Sequence, residues 1–215
     1  MFRWFLRGWR GVKPEAQFCV HRPESGELAG GIVLTHGAGA NCDAPLLVAV
    51  ASGLAAAGYL VMRCNMAFRR RKAKGPPHPS GAAADRESLR EAAAQVREMA
   101  PGPLILAGHS YGGRQASMLA AEDASVADFL LLLSYPLKPA QQRTAHFANL
   151  CVPCLFVHGT GDSFGTIDEM RAALRLIAAP VQLSVVERAG HDLARGRFDL
   201  QTAIANKLPR ANSGM

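Results

Sequence analysis

Three residues in this chain have the types and the order that nucleophilic acyl chemistry needs. Ser110 sits in Gly108-His109-Ser110-Tyr111-Gly112, Asp162 in His158-Gly159-Thr160-Gly161-Asp162, and His191 in Arg188-Ala189-Gly190-His191-Asp192. A serine hydroxyl is a poor nucleophile at neutral pH. It needs an imidazole to take its proton and a carboxylate to hold that imidazole in the right tautomer. The order along the chain is nucleophile, acid, base. The G-x-S-x-G pattern alone is weak, since composition yields about 0.1 chance matches in a chain of this length. Its setting makes it specific: the apolar run LILAG leads into it and a helix-like segment, GRQASMLAAE, leaves it. That is the strand-turn-helix context in which a serine projects from the top of a sheet.

Other ionisable residues compete for these roles. His109 lies inside the turn, His158 at a strand end and His36 in another loop, so all three read as supporting residues, while His146 is the rival base. Asp192 adjoins His191 too closely to reach its ring nitrogen, and Asp168 belongs to the solvated face of the helix after Asp162. His36-Gly37-Ala38-Gly39-Ala40 follows an earlier apolar run, and its glycines let a substrate carbonyl approach the main chain. Ala38, or failing it Gly39, would give one backbone N–H to an oxyanion and Tyr111 the other. The same stretch lacks the third glycine of G-x-G-x-x-G, and YLVMRCN carries no acidic residue for a ribose, so a dinucleotide site is excluded. No cofactor or metal is expected.

Elements that can bring these residues together are visible in the apolar pattern. Six runs rich in Val, Ile and Leu, at 31–36, 59–65, 103–109, 129–134, 154–158 and 181–187, are mostly continuous rather than alternating. Strands covered on both faces by helices look like this. QFCVH, 17–21, adds a seventh. Helical spacing appears at 44–57, 85–99, 113–122, 166–178 and 196–208, with Pro45 suited to a first turn and Gly58 to an end. The alternation predicts a three-layer α/β sandwich around a mostly parallel sheet of about seven strands, with its ligand site beyond the C-terminal strand ends. Ser110, Asp162 and His191 each fall just past such an end. Residues 69–84, RRRKAKGPPHPSGAAA, read as a basic, mobile loop.

Composition bounds the rest. A chain of 215 residues, 49% apolar and 19% charged, can bury a core that needs neither disulfides nor metal, which excludes disorder as the whole answer. No run reaches the roughly 18 apolar residues of a membrane-spanning helix. The net charge is +7, but nine of the cations lie in two acid-free stretches, Arg3 to Lys13 and Arg69 to Lys74. The basicity therefore marks two surface patches and not the basic face of a nucleic-acid protein. The second patch follows a strand, on the side where it can steer an anionic substrate; a solvated basic loop is the simpler reading. Five cysteines are an odd number at irregular spacing, and arginines break the N-terminal apolar run, so a reducing cytoplasm is expected. Cys151-Val-Pro-Cys154 has the spacing of a redox dithiol but precedes a strand instead of opening a helix. The expected organisation is a basic arm over 1–16, one domain over 17–208 and a tail over 209–215.

From about residue 17 to 208 the chain resembles the α/β-hydrolase superfamily. Within it, LTHGAGANCDAP, RCNMAF, GHSYGGR, SYPLKP with RTAHF, and FVHGTGDSFG are similar to the small, lidless, dienelactone-hydrolase-like family. That family also includes the hydrolase-like domain of a subunit of a chromatin-associated acetyltransferase complex. The resemblance implies a triad of Ser110, His191 and Asp162 and an oxyanion hole at Ala38 and Tyr111. Dienelactone hydrolases proper carry cysteine where this chain has Ser110, so their substrate does not carry over. Residues 135–153 are too few for a cap domain, which implies an open site. The expectation is a cytoplasmic serine hydrolase that takes a small ester, thioester or similar acyl substrate, with no nucleic-acid partner and no membrane span. A hydrolase-like interaction module with little turnover is the alternative.

Overall fold

Apolar strands with no polar face must lie between two layers, and this requirement sets the architecture. The structure, a computed structural model, describes residues 18–24, 26–138, 141–193 and 199–211. The arm expected over 1–16 lies outside them. Seven strands, β1 (Phe18–His21), β2 (Gly30–Thr35), β3 (Tyr59–Cys64), β4 (Leu104–His109), β5 (Phe129–Leu133), β6 (Cys154–Gly159) and β7 (Val181–Val186), form one sheet. Their order is β1-β3-β2-β4-β5-β6-β7. The edge strand β1 runs antiparallel to β3, and every other pair is parallel.

Successive strand residues point to opposite faces, and the two faces build separate cores. Val33, Met62, Leu106, Leu132 and Phe156 meet α3 (Ala82–Met99), α4 (Tyr111–Glu122) and α5 (Ile167–Leu174) through Leu89, Val96, Leu119 and Met170. Ile32, Val61, Ile105, Leu131 and Leu155 meet α1 (Pro45–Ala56) through Leu47 and Leu54, and also Ile204 and Leu208 near the C-terminus. With both faces covered, neither needs polar residues. The chain leaves β2 for β3 on one side and returns to β4 on the other, so the connections diverge between β2 and β4. In open α/β sheets this switch point leaves a crevice beyond the strand ends. Between β5 and β6, two 3-10 turns, Gln141–Thr144 and Phe147–Asn149, stand where a larger insertion would form a cap.

Two expectations need correction. The stretch from Arg69 is not a loop throughout: α2 (Ala67–Arg71) holds its first three arginines, and α3 already starts at Ala82. Nor is 196–208 one helix. Within its described residues α6 (Leu200–Ala203) is a single turn, Ile204 leaves the helical region at φ −127° and ψ −68°, and a 3-10 turn follows at Ala205–Lys207. Ile204 and Leu208 are both buried in the core on this side of the sheet. Residues 209–211 are bonded to the domain, since the Tyr59 hydroxyl donates to the Pro209 carbonyl (3.2 Å) and the Ala211 N–H to that of Ala29 (2.7 Å).

Phe156 is fully buried on β6 with its ring against Tyr135 and Phe147. Phe156→Ala is expected to destabilise by about 3–5 kcal/mol, whereas Leu176→Ala, at an exposed position, should change stability by less than about 0.5 kcal/mol. Urea midpoints of the two variants check the contrast.

Candidate active site

At the end of β4 the chain turns from strand to helix through Ser110, which takes φ 52° and ψ −114°. A side chain rarely adopts a left-handed φ, so the turn must be held by its surroundings. It is held by the Ser110 N–H, which donates to the Leu133 carbonyl (2.9 Å), and by the Arg114 N–H, which donates to that of Ser110 (3.0 Å). The glycines on either side allow the crossing. A Cβ on Gly108 would lie 2.5 Å from the Gly113 nitrogen, and one on Gly112 2.6 Å from the His36 oxygen. The first turn of α4 thus sits directly on the end of β2, and Gly37 comes within contact distance of Ser110.

The loops after β6 and β7 are laced to each other. Thr160 N–H donates to the Val186 carbonyl (3.0 Å), Gly161 N–H to that of Ala189 (2.9 Å), and Arg188 N–H to the Thr160 hydroxyl (2.9 Å). At Gly159 a side chain would run into the Ala189 carbonyl. This lacing delivers Asp162 from one loop and His191 from the other.

Ser110, His191 and Asp162 are brought together. His191 Nε2 lies 2.8 Å from Ser110 Oγ, and its Nδ1 lies 3.0 and 2.9 Å from the two Asp162 oxygens. A carboxylate accepts only, so Nδ1 carries the proton and Nε2 is free to take that of the hydroxyl. Burial pushes the Asp162 carboxyl up, but the bonds from His191 and from the Phe164 N–H (2.8 Å), with attraction to His191 and His158, outweigh it and leave the group below its ordinary range. It stays an anion at neutral pH. His109 Nε2 donates to the His191 carbonyl (2.8 Å), and the Phe164 ring lies over the imidazole with centroids 4.3 Å apart. One contact fixes the backbone and the other one face of the ring.

Tyr111 follows Ser110 in the chain, and Ala38 follows Gly37, where an added Cβ would lie 3.4 Å from that of Ser110. Tyr111 is the first residue of α4, where an N–H has no carbonyl within its own helix. Its side chain is anchored away from the serine, because the hydroxyl donates to Asp85 (2.8 Å), whose other oxygen accepts from the Phe68 N–H (2.8 Å). The Phe68 ring meets Tyr111 edge-on at 5.7 Å and His36 at 5.5 Å, joining the two sides. His36 Nε2 accepts from the Met66 N–H (3.3 Å), so its Nδ1 donates to the Gly37 carbonyl (2.9 Å). Burial, with Arg69 and His109 nearby, takes His36 down to about 4 although the Gly37 bond opposes the shift.

The rival residues go elsewhere. His146 bonds the Ser117 hydroxyl at 2.8 Å, and burial together with Arg114 and Arg86 lowers it to about 4, so it does not meet Ser110. His158 donates to the Gly165 carbonyl (2.8 Å) and Asp168 pairs with Arg171 on α5 (3.1 Å). Cys154 is buried, with its thiol pushed up to about 12, and both it and Cys151 are free, so the dithiol spacing forms no bond. The basic stretch from Arg69 is only partly a surface patch: Arg71, Lys72 and Lys74 are exposed, but Arg69 is turned inward. Sequence reasoning read Arg69 as part of a solvated basic patch and gave no role to Asp85, which carries no motif signal, or to Phe164, although it lies within FVHGTGDSFG. Among the described residues no cluster of ligand side chains could hold a metal, and no helix is long and apolar enough to cross a membrane.

A model of the alpha/beta hydrolase domain family matches residues 29–212. Solved structures share the fold. A serine hydrolase homologue from Coxiella burnetii is 20% identical over 81% of this chain and 82% of its own, with a TM-score of 0.68. A dienelactone hydrolase from Anabaena variabilis is 18% identical over 88% and 87%, with a TM-score of 0.68. A lidless serine hydrolase from Xanthomonas campestris is 20% identical over 90% of each chain, with a TM-score of 0.67.

Buried neutral histidines set a pH dependence. His36 and His146 titrate at about 4 in the folded chain against 6.5 when unfolded, so between those values the unfolded state binds more protons and stability rises with pH. Urea midpoints should therefore fall steadily from pH 6.5 to 4; a flat profile would contradict the assignment.

Proposed function

Since the chain belongs to the alpha/beta hydrolase domain family, we propose that it is a serine hydrolase that cleaves a small ester, thioester or similar acyl compound. The observation that carries the reading is the unbroken line of contacts from Ser110 Oγ through the His191 ring to the Asp162 carboxylate. Ser110 Oγ attacks the acyl carbonyl while His191 Nε2 takes its proton. The carbonyl oxygen becomes an oxyanion and receives the backbone N–H groups of Ala38 and Tyr111. Collapse of the tetrahedral intermediate expels the alcohol or thiol, which takes the proton back from His191. A water molecule then gives its proton to His191 and attacks the acyl-enzyme, and the acid leaves as Ser110 is reprotonated. Asp162 keeps the Nδ1 proton in place and stabilises the imidazolium formed in each half.

The substrate is read as small. No cap stands between β5 and β6 in the described residues, and long acyl chains need an apolar wall to bury them. Phe164, 37% exposed beside His191, offers one apolar surface to an acyl group of modest length. The location proposed is the cytoplasm, on cysteine usage alone.

A panel of short-chain aryl esters, thioesters and lactones tests the reading. Wild type should turn over at least one class, and Ser110→Ala should lose about 10⁴-fold or more in kcat without loss of cooperative unfolding. Asp162→Asn should cost about 10⁴-fold. A fluorophosphonate should label wild type and not Ser110→Ala. Equal labelling of the two would refute the nucleophile.

A further inference from the structure

Arg69 is an unusual arginine for so basic a stretch. It is 6% exposed, and all its donors turn toward main chain. Nε donates to the Ala40 carbonyl (2.8 Å), Nη1 to those of Lys72 (3.1 Å) and Ala73 (2.7 Å), and Nη2 to those of Ala38 (2.9 Å) and Gly75 (3.0 Å). A guanidinium has five N–H groups in a fixed fork, so each one has its own carbonyl. Among the described residues no carboxylate pairs with it. A salt bridge does not explain why the charge is buried; five oriented carbonyl dipoles do.

Two of those carbonyls belong to the loop beside Ser110. A trans peptide points its C=O and its N–H to opposite sides. Holding the Ala38 carbonyl against Arg69 therefore aims the Gly39 N–H away from the guanidinium. The Gly37 carbonyl is held in turn by His36 Nδ1 (2.9 Å) and by the Ala40 N–H (3.2 Å), which aims the N–H of Ala38. The Arg69 guanidinium also lies 4.9 Å from the centre of the Phe68 ring, whose edges meet both His36 and Tyr111.

We propose that Arg69 is a positioning residue for the oxyanion hole: its fork locks residues 38–40 so that the N–H of Ala38, or failing it that of Gly39, is presented to the oxygen that develops charge at Ser110, while the Ala40 N–H braces the Gly37 carbonyl. The inference rests on the serine-hydrolase reading above. It also assigns a purpose to the first arginine of a stretch whose neighbours Arg71, Lys72 and Lys74 remain in solvent. The fork matters more than the charge, because a lysine keeps the cation but cannot reach five carbonyls in one plane.

The test compares Arg69→Lys and Arg69→Met with wild type on whichever ester wild type hydrolyses best. Removing one oxyanion donor outright costs about 10²–10³-fold in kcat, so a loop that is misaimed but present should cost about 10–100-fold in both variants, with KM changed less than about threefold. Inhibition by an alkyl boronic acid, which forms a tetrahedral adduct on serine, should weaken by a similar factor. Added guanidinium ion should restore part of the kcat of Arg69→Ala. A merely structural arginine would lower the melting temperature and leave kcat and boronate inhibition of the folded fraction unchanged, and that result overturns the proposal, as does an Arg69→Lys variant with wild-type kcat. Should the variants fail to fold, backbone ¹⁵N order parameters of the wild type decide: values of about 0.8 or more at Ala38, Gly39 and Ala40 support the clamp, and lower values overturn it. A wild type that hydrolyses no ester would retire the functional reading alone, since the order parameters need no turnover.

Discussion

The site depends on one imidazole held between a hydroxyl and a carboxylate that arrive from three different strand ends. Each bond is short, but neither partner could find the ring if the strands were not in register. The parallel order β4-β5-β6-β7 puts the turns after β4, β6 and β7 on one rim, and hydrogen bonds between the last two loops remove their freedom to slide apart. His191 is fixed from three directions: by Asp162 on Nδ1, by His109 on its carbonyl and by Phe164 on one ring face. Such fixing matters because the contribution of oriented groups to a reaction is lost with displacements of about an ångström.

The cost of this arrangement is concentrated in the backbone. Ser110 sits at a φ that L residues avoid; the first turn of α4 leaves no room for a side chain at Gly108, and the end of β2 leaves none at Gly112. The two all-apolar cores compensate, since burial on both sheet faces supplies the stability that such local strain consumes. Polar groups near the site are neutralised locally. Asp85 is divided between the Tyr111 hydroxyl and the Phe68 N–H, and Arg69 among five carbonyls, so neither charge is left bare.

Much of the sheet was legible because β2 to β6, buried on both faces, are mostly Val, Ile, Leu and Phe, and the half-exposed edge strands β1 and β7 keep an apolar majority. All seven were placed within about a residue, as were the turns at Ser110, Asp162 and His191, since those residues follow the strands directly. The helices were less legible at their ends. The Ala82–Ala84 turn of α3 looked like low-complexity loop because alanine says nothing of its environment, and the C-terminal segment kept helical spacing, which the backbone break at Ile204 leaves no mark on. Arg69 was misread for a physical reason: charge in sequence predicts solvent, and only three-dimensional proximity discloses carbonyls enough to replace it. Phe164 and Asp85 were silent because their contacts cross from one loop or helix to another with no spacing rule.

The proposed mechanism turns on the proton between His191 Nδ1 and Asp162, and proton NMR observes it directly. The chain should display a single strongly downfield resonance, well beyond the amide region, that moves when a boronic acid closes on Ser110 and disappears in Asp162→Ala. Absence of that signal at low temperature, or its persistence unchanged in Asp162→Ala, would contradict the arrangement on which the mechanism stands.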